Sequence, residues 1–352
     1  MSVLVTGGAG YIGSHMVWTL LDAGEDVVVL DRLSTGFDWA IPVEANLVVG
    51  DIADHDLVRR IIRDHRVQAV IHFAGSVVVP DSVADPLGYY ENNTVKSRTL
   101  LETVVRAGVP HFIFSSTAAV YGVAGMAPVT EEAPLSPQSP YGRSKQMTEA
   151  MLADAAAAHD LTYTALRYFN VAGADPRLRT GQSTRGATHL IKVACEVATG
   201  KRDAMKVFGT DYDTPDGTCV RDYIHVSDLV AVHYLALQRL RGGGGNLVAN
   251  CGYGRGYSVL DVVDAVRRVS GADFAVEIAG RRAGDPPSIV ADSSRARHEF
   301  GWEPLHDDLD FTIETALAWE KALARRNAVP GIETPEPSPL TRLPRKLRKL
   351  AG

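Results

Sequence analysis

A glycine-rich loop sits between an apolar start and a helical stretch, and it constrains the fold more than any other feature of the chain. Ser2-Val3-Leu4-Val5-Thr6 reads as a strand, Gly7-Gly8-Ala9-Gly10-Tyr11-Ile12-Gly13 follows it, and Ile12 to Ala23 has helical periodicity with Gly24 as its stop. Glycines at 7, 10 and 13 let the backbone turn tightly and approach a pyrophosphate at the helix N-terminus, where unpaired N–H groups point outward. Such a glycine run alone is a weak signal; a strand before it and a helix after it make it a specific one. Gly7, Gly10, Tyr11, Ile12 and Gly13 are therefore candidate dinucleotide contacts. Asp31 ends the next apolar run, Val27 to Leu30. A carboxylate there accepts the adenosine ribose hydroxyls and repels a 2′-phosphate, which favours NAD over NADP. Arg32 is a counter-signal, because an arginine can accommodate that phosphate. Asp51-Ile52, after the third apolar run, is a candidate adenine contact.

The same alternation continues along the first half. Leu47-Val48-Val49, Ala69-Val70-Ile71 and Phe112-Ile113-Phe114 are near-continuous apolar runs, as expected for parallel strands covered by helices on both faces. Strand and helix in repetition predict a doubly wound, Rossmann-like parallel α/β sheet, with ligands beyond the carboxyl ends of its strands. After roughly residue 170 the pattern loosens, so we expect a nucleotide domain over 1–170 and a smaller α/β substrate-binding domain over 171–330. Ser227 to Leu240 and Asn246 to Asn250 again read as helix then strand, and 227–250 is expected to return to the main sheet. Residues 331–352 read as a flexible basic tail.

Several function classes fall away on bulk properties. A formal net charge of −6 gives no overall attraction for nucleic acid or an anionic membrane. No apolar run reaches the roughly 20 residues that a bilayer needs. Cys195, Cys219 and Cys251 are far apart and lack metal-ligand spacing, so neither a disulfide framework nor a metal site is expected. No secretory signal precedes the first strand, and the expected location is the cytoplasm.

Tyr141-Gly142-Arg143-Ser144-Lys145 places a phenol and an ammonium one helical turn apart. Tyrosine is a poor base at neutral pH. A neighbouring ammonium and an oxidised nicotinamide ring would favour the phenolate and lower its pKa. Ser115-Ser116-Thr117 ends the fifth apolar run, where a hydroxyl can bond the reacting oxygen and share its proton with Tyr141. The glycine loop, the strand-end hydroxyl and the Tyr-to-Lys spacing together describe hydride-transfer chemistry.

These elements resemble the extended short-chain dehydrogenase/reductases. Further stretches are similar to the UDP-glucose 4-epimerase branch: Phe73-Ala74-Gly75, Tyr89-Tyr90-Glu91-Asn92-Asn93, Phe114 to Gly122, Ser139-Pro140-Tyr141-Gly142, Leu166-Arg167-Tyr168-Phe169-Asn170 and Gly217 to Val226. The resemblance covers roughly residues 1–325. It implies NAD as a retained cofactor, a UDP-sugar as the small-molecule substrate, and 4-epimerisation through a transient 4-keto sugar. By position it makes Thr117, Tyr141 and Lys145 catalytic. It sets Phe73, Ala74, Gly75, Asn92, Lys145 and Tyr168 around the cofactor. Asn170, His189, Leu190, Phe208, Arg221, Arg282 and Asp285 would hold the UDP-sugar, and Ile289 would wall the pocket near the sugar 2-substituent. A homodimer through helices of the nucleotide domain is implied by the same analogy.

The chain departs from the pattern twice. Ser76-Val77 stands where some relatives carry a lysine near the cofactor, and His189 stands where asparagine is frequent. Epimerases of N-acetylhexosamine, pentose or uronate UDP-sugars are the rivals inside the class. A 4,6-dehydratase needs an acid–base pair just after Thr117, where this chain has Ala118-Ala119. A non-catalytic NAD sensor could dispense with Tyr141 or Lys145, and both are kept.

Overall fold

The structure is a computed structural model and describes residues 2–328 apart from 124, 126, 283 and 284; the segment 331–352, expected as a basic tail, lies outside the described residues. Seven parallel strands form the main sheet: β1 (Ser2–Thr6), β2 (Asp26–Asp31), β3 (Asn46–Val49), β4 (Val67–His72), β5 (His111–Thr117), β6 (Thr162–Tyr168) and, much later in the chain, β10 (Leu247–Cys251). Between them come β7 (Asn170–Ala172), β8 (Ala204–Phe208) and β9 (Val220–His225), and after them β11 (Gly256–Ser258), β12 (Ala275–Ala279) and β13 (Ser288–Ile289).

The order across the main sheet is β10-β6-β5-β4-β1-β2-β3. The chain runs outward from β1 to β3, then crosses back to β4 on the other side of β1. A crevice therefore opens above the carboxyl ends of β1 and β4, where a doubly wound sheet binds its ligands. Alternate side chains on each strand go to opposite faces. Val3, Val5, Val27, Val29, Ala69 and Ile71 pack on one face against Met16, Val17 and Leu20 of the helix Tyr11–Asp22 and Leu229 and Leu237 of the helix Val226–Arg241. Leu4, Val28, Leu30, Val70, Phe112 and Phe114 pack on the other face against Val58, Ile61, Leu100, Val104 and Leu152. Each fully buried side chain of this kind contributes about 1.5–3 kcal/mol. Burial on both faces is why these strands carry unbroken apolar runs.

The smaller sheets hang beyond the carboxyl ends of the large one. β9 is central, with β7 and β13 beside it in parallel and β11 antiparallel. β8 and β12 form a separate parallel pair. Ile191, Cys195, Met205, Tyr223, Val262, Val266, Ile313 and Leu317 make the core of this lobe. All three cysteines are buried and unpaired. No helix among the described residues is long and apolar enough to cross a membrane.

Candidate active site

The glycine loop is shaped by what lies behind it. Gly7 has φ +69°, and a Cβ there would sit 2.6 Å from the Ala74 nitrogen. The loop after β1 thus lies backbone to backbone on the turn Phe73-Ala74-Gly75 after β4, at the floor of the crevice. A Cβ on Gly13 would fall 2.2 Å from the Gly7 carbonyl oxygen. Gly10 is the N-cap of the helix Tyr11–Asp22, so the first N–H groups of that helix open onto the crevice without a capping side chain. A cradle with no room for side chains, at a positive helix end, fits a dinucleotide pyrophosphate.

Asp31 ends β2, and its carboxylate accepts the Ala9 N–H at 2.9 Å and the Leu33 N–H at 2.8 Å. It thereby ties the glycine loop to the end of β2. Arg32, the counter-signal against NAD, is engaged elsewhere. It bonds Asn92 at 3.0 Å and Asp51 at 3.3 Å. Asp51 also accepts from Lys96 at 2.5 Å and from the Ala53 N–H. Burial alone would raise the Asp51 pKa, but these bonds outweigh it and hold the carboxyl below its usual range. The Ile52 side chain is buried in the core. Asn92 donates to the Ser76 hydroxyl. Its neighbour Asn93 is the more buried of the two and bonds the backbone of Ser76 and the Ser144 hydroxyl. A π-helical turn over Glu91–Val95 sets these side chains. Tyr11 donates to the Gly173 carbonyl at 2.6 Å, tying the loop to the smaller lobe.

Thr117, Tyr141 and Lys145 converge at the end of β5. The helix Pro140–Ala158 begins with Ser139, whose hydroxyl accepts the Gly142 N–H, and has Pro140 in its first turn. Gly142 lets this helix close on the turn after β5, since a Cβ there would meet the Ala119 carbonyl oxygen at 2.6 Å. Tyr141 consequently lies in the first turn, where the helix dipole favours negative charge. Its phenol is buried against the Thr117 hydroxyl, which forms a hydrogen bond with it. Burial pushes the phenol up to about 12, and the Thr117 bond works in the opposite direction. Among the protein's own groups desolvation sets the direction, and Thr117 rather than Lys145 opposes it. Lys145 donates to the Ser115 carbonyl at 2.8 Å and lies 4.9 Å over the Phe114 ring. Burial brings it down to about 8, with Glu149 opposing that fall. Its ammonium lies 3.8 Å from where a Cβ on Gly75 would be. Tyr168 at the end of β6 bonds the Ser115 hydroxyl, and its ring and that of Phe73 both pack on His233.

The substrate candidates fall into three groups. Asn170, His189, Leu190 and Tyr11 line one cavity together with Lys192 and Trp319. Arg221 in β9 faces Asp285 at 3.7 Å and pairs in register with Ile289 of β13. Ile289 is buried with Ala118, Val120, Tyr121 and Phe169, which joins the sheet around β9 to the turn that follows β5. Phe208, at the end of β8, carries the Arg282 guanidinium 3.8 Å over its ring.

Two charged residues in this region were not singled out as candidates. Glu149 follows Lys145 by one turn, and Arg167 stands inside β6; both are buried and pair at 2.6 Å. A charge inside an apolar strand such as Leu166-Arg167-Tyr168 was the available signal.

Comparison with known proteins agrees with this geometry. Residues 3–252 match the model of the NAD dependent epimerase/dehydratase family. The chain is 59% identical over 321 residues to a UDP-glucose 4-epimerase of Azospirillum brasilense, covering 91% of this chain and 92% of that one. A crystal structure of a UDP-glucose 4-epimerase superposes with a TM-score of 0.90 at 44% identity, covering 95% of this chain and all of the other (100%). A UDP-glucose-4-epimerase from Stenotrophomonas maltophila, solved with bound NAD and formylated UDP-arabinopyranose, superposes with a TM-score of 0.89 at 39% identity over 92% and 99% of the two chains.

Proposed function

The chain belongs to the NAD dependent epimerase/dehydratase family, and from that premise we propose how its residues work as an NAD-dependent UDP-glucose 4-epimerase. It is an isomerase that interconverts UDP-glucose and UDP-galactose through a transient 4-keto sugar. The observation that carries the residue roles is the convergence of Thr117, Tyr141 and Lys145 beside the cradle formed by Gly7, Gly13 and the Phe73–Gly75 turn.

NAD, when bound, accepts the hydride of sugar C4 and returns it. Gly7, Gly10, Tyr11, Ile12 and Gly13 hold its pyrophosphate side, Asp31, Asp51 and Ile52 its adenosine side, and Phe73, Ala74, Gly75, Asn92, Lys145 and Tyr168 its nicotinamide side. The pairing of Arg32 with Asp51 and Asn92 supports Asp31 as the residue that selects NAD. Tyr141 removes the proton of the sugar 4-hydroxyl, and Thr117 orients that hydroxyl and hydrogen-bonds the phenol. Lys145 contributes positive charge that favours the phenolate. Asn170, His189, Leu190, Phe208, Arg221, Arg282 and Asp285 anchor UDP, with the arginines suited to the pyrophosphate as planar multi-donor cations. The anchor lets the keto sugar turn and present its other face.

The test is direct. Purified protein given UDP-galactose and no added cofactor should form UDP-glucose. Accumulation of NADH with oxidised sugar would instead identify a dehydrogenase.

Ile289 gives a second expected result. Ile289→Tyr should raise the preference for UDP-galactose over UDP-N-acetylgalactosamine, and Ile289→Ala should relax it. An apolar wall discriminates by about 1–3 kcal/mol per small group, so rejection is incomplete in the wild type. Measuring kcat/KM for both sugars decides it; a ratio that neither substitution moves removes Ile289 from the pocket wall.

The same reading includes a cytoplasmic location, supported by three buried free thiols. It also includes a homodimer through nucleotide-domain helices, supported by exposed Val83, Leu87 and Met147 on that lobe.

A further inference from the structure

Beneath the catalytic residues lies a buried polar chain that the reaction itself does not use. Glu149 is two turns beyond Tyr141 and one beyond Lys145, so the three lie along one stripe of the same helix. One Glu149 oxygen accepts the Ser116 hydroxyl, and the carboxylate takes the Arg167 guanidinium through Nε at 3.0 Å and a terminal nitrogen at 2.6 Å. Ser116 and Arg167 are directly paired across β5 and β6, so a single carboxylate grips both strands. Ser116 immediately precedes Thr117. The other arm of Arg167 donates to the Tyr121 hydroxyl at 3.0 Å, and Tyr121 donates to the Asn250 side chain at 2.6 Å on β10. Tyr121 ends the short 3₁₀ turn that follows Thr117.

The groups around Lys145 are few. Its own helix brings Tyr141 and Glu149. β5 brings the Ser115 carbonyl and the Phe114 ring. β4 brings His72, which burial and Lys145 keep neutral by pulling its pKa to about 3. β6 brings Arg167 to Glu149 and Tyr168 to Ser115 and Tyr141, and the helix Pro86–Tyr90 brings Tyr89 near Tyr141. Glu149 is the one carboxylate among them.

We propose that Glu149 is a positioning residue for the epimerisation: by gripping Ser116 and Arg167 together it sets the Tyr141–Lys145 helix in register with the strand end that carries Thr117. This rests on the roles given above to Tyr141 and Lys145. Lys145 aids the phenolate only as an ammonium. Glu149 opposes the fall that burial imposes on the Lys145 pKa, so without that carboxylate the ammonium loses its proton at a lower pH.

Wild-type turnover of UDP-galactose tests the underlying reading, and variants are scored only relative to it, so the two can fail separately. In the Glu149→Gln holoenzyme the pH at which kcat stops rising should move down by about 1–2 units, with KM held within about twofold. Should that variant not fold around an unpaired Arg167, Glu149→Gln/Arg167→Met removes both charges and decides the matter. Its kcat at the pH optimum should lie about tenfold below wild type at unchanged KM, because the register is lost. A double variant with wild-type kcat overturns the proposal. So does a single variant that melts at a lower temperature but keeps both kcat and the pH at which kcat stops rising.

Discussion

Tyr141→Phe should lower kcat by about 10²–10⁴-fold, the usual effect of removing a general base. NAD content and the affinity for UDP-galactose should stay near wild type. The ring is buried and packed, so deleting one hydroxyl leaves the shape of the site intact. What goes is the group that hydrogen-bonds Thr117 and takes the sugar proton. The pH dependence carries a sign. Burial holds the phenol up to about 12, so without help it is protonated at neutral pH. Raising the pH therefore favours the active phenolate, until Lys145, near 8, begins to lose the charge that stabilises it. Wild-type kcat should rise with pH and stop rising near 8, where the loss of the Lys145 charge offsets the gain of phenolate, and the residual activity of Tyr141→Phe should lack the rising limb. Steady-state kinetics with a count of bound NAD check this. A variant with undiminished kcat would remove Tyr141 from the mechanism.

Gly13→Ala should yield protein that neither retains NAD nor turns over. The added Cβ would lie 2.2 Å from the Gly7 oxygen and 2.8 Å from the Gly8 Cα. The loop cannot retreat, because Gly7 already lies against the backbone of Phe73 and Ala74. Either the helix Tyr11–Asp22 moves or the loop opens, and both destroy the alignment of N–H groups toward the pyrophosphate. Overpacking of this kind costs about 1–3 kcal/mol of folding stability. Loss of a ligand present at a hundred times its Kd removes about 2.7 kcal/mol more. Gly245→Ala, where an added Cβ meets only open space, is the control. NAD released on denaturation and the melting temperature are the measurements. Full NAD occupancy in Gly13→Ala would mean that the cradle is not the cofactor site.

How much of this was legible in the sequence follows from burial and length. β1, β2, β4 and β5 are covered on both faces, so their apolar runs stood out. β7, β11 and β13 span only three, three and two residues, too short to carry any period, and their pairing to β9 was invisible. The Tyr141-to-Lys145 spacing was legible because its chemistry is distinctive. Glu149 continues the same stripe, yet a lone glutamate on a helix ordinarily reads as a solvated face. Its burial depends on Arg167, which arrives from a different strand. Asn92 was the candidate, yet Asn93 is the more buried of the two, for a local reason. The π-helical turn alters which side chain points inward, and no helical wheel drawn at 3.6 residues per turn anticipates that. Desolvation of the Tyr141 phenol was not legible, because sequence supplies charges but not burial.

The late entry of β10 has a consequence for how the chain is made. β6 is finished at Tyr168, but its outer edge is covered only when Leu247–Cys251 arrives, after β7, β8 and β9 have been laid down elsewhere. A nascent chain of the first half alone would present an open, hydrophobic strand edge, the kind of surface that invites aggregation. It would also lack Asn250, whose side chain bonds Tyr121 and the Val129 carbonyl and whose N–H bonds Glu131. During synthesis the main sheet therefore stays incomplete until residues 247–251 have emerged.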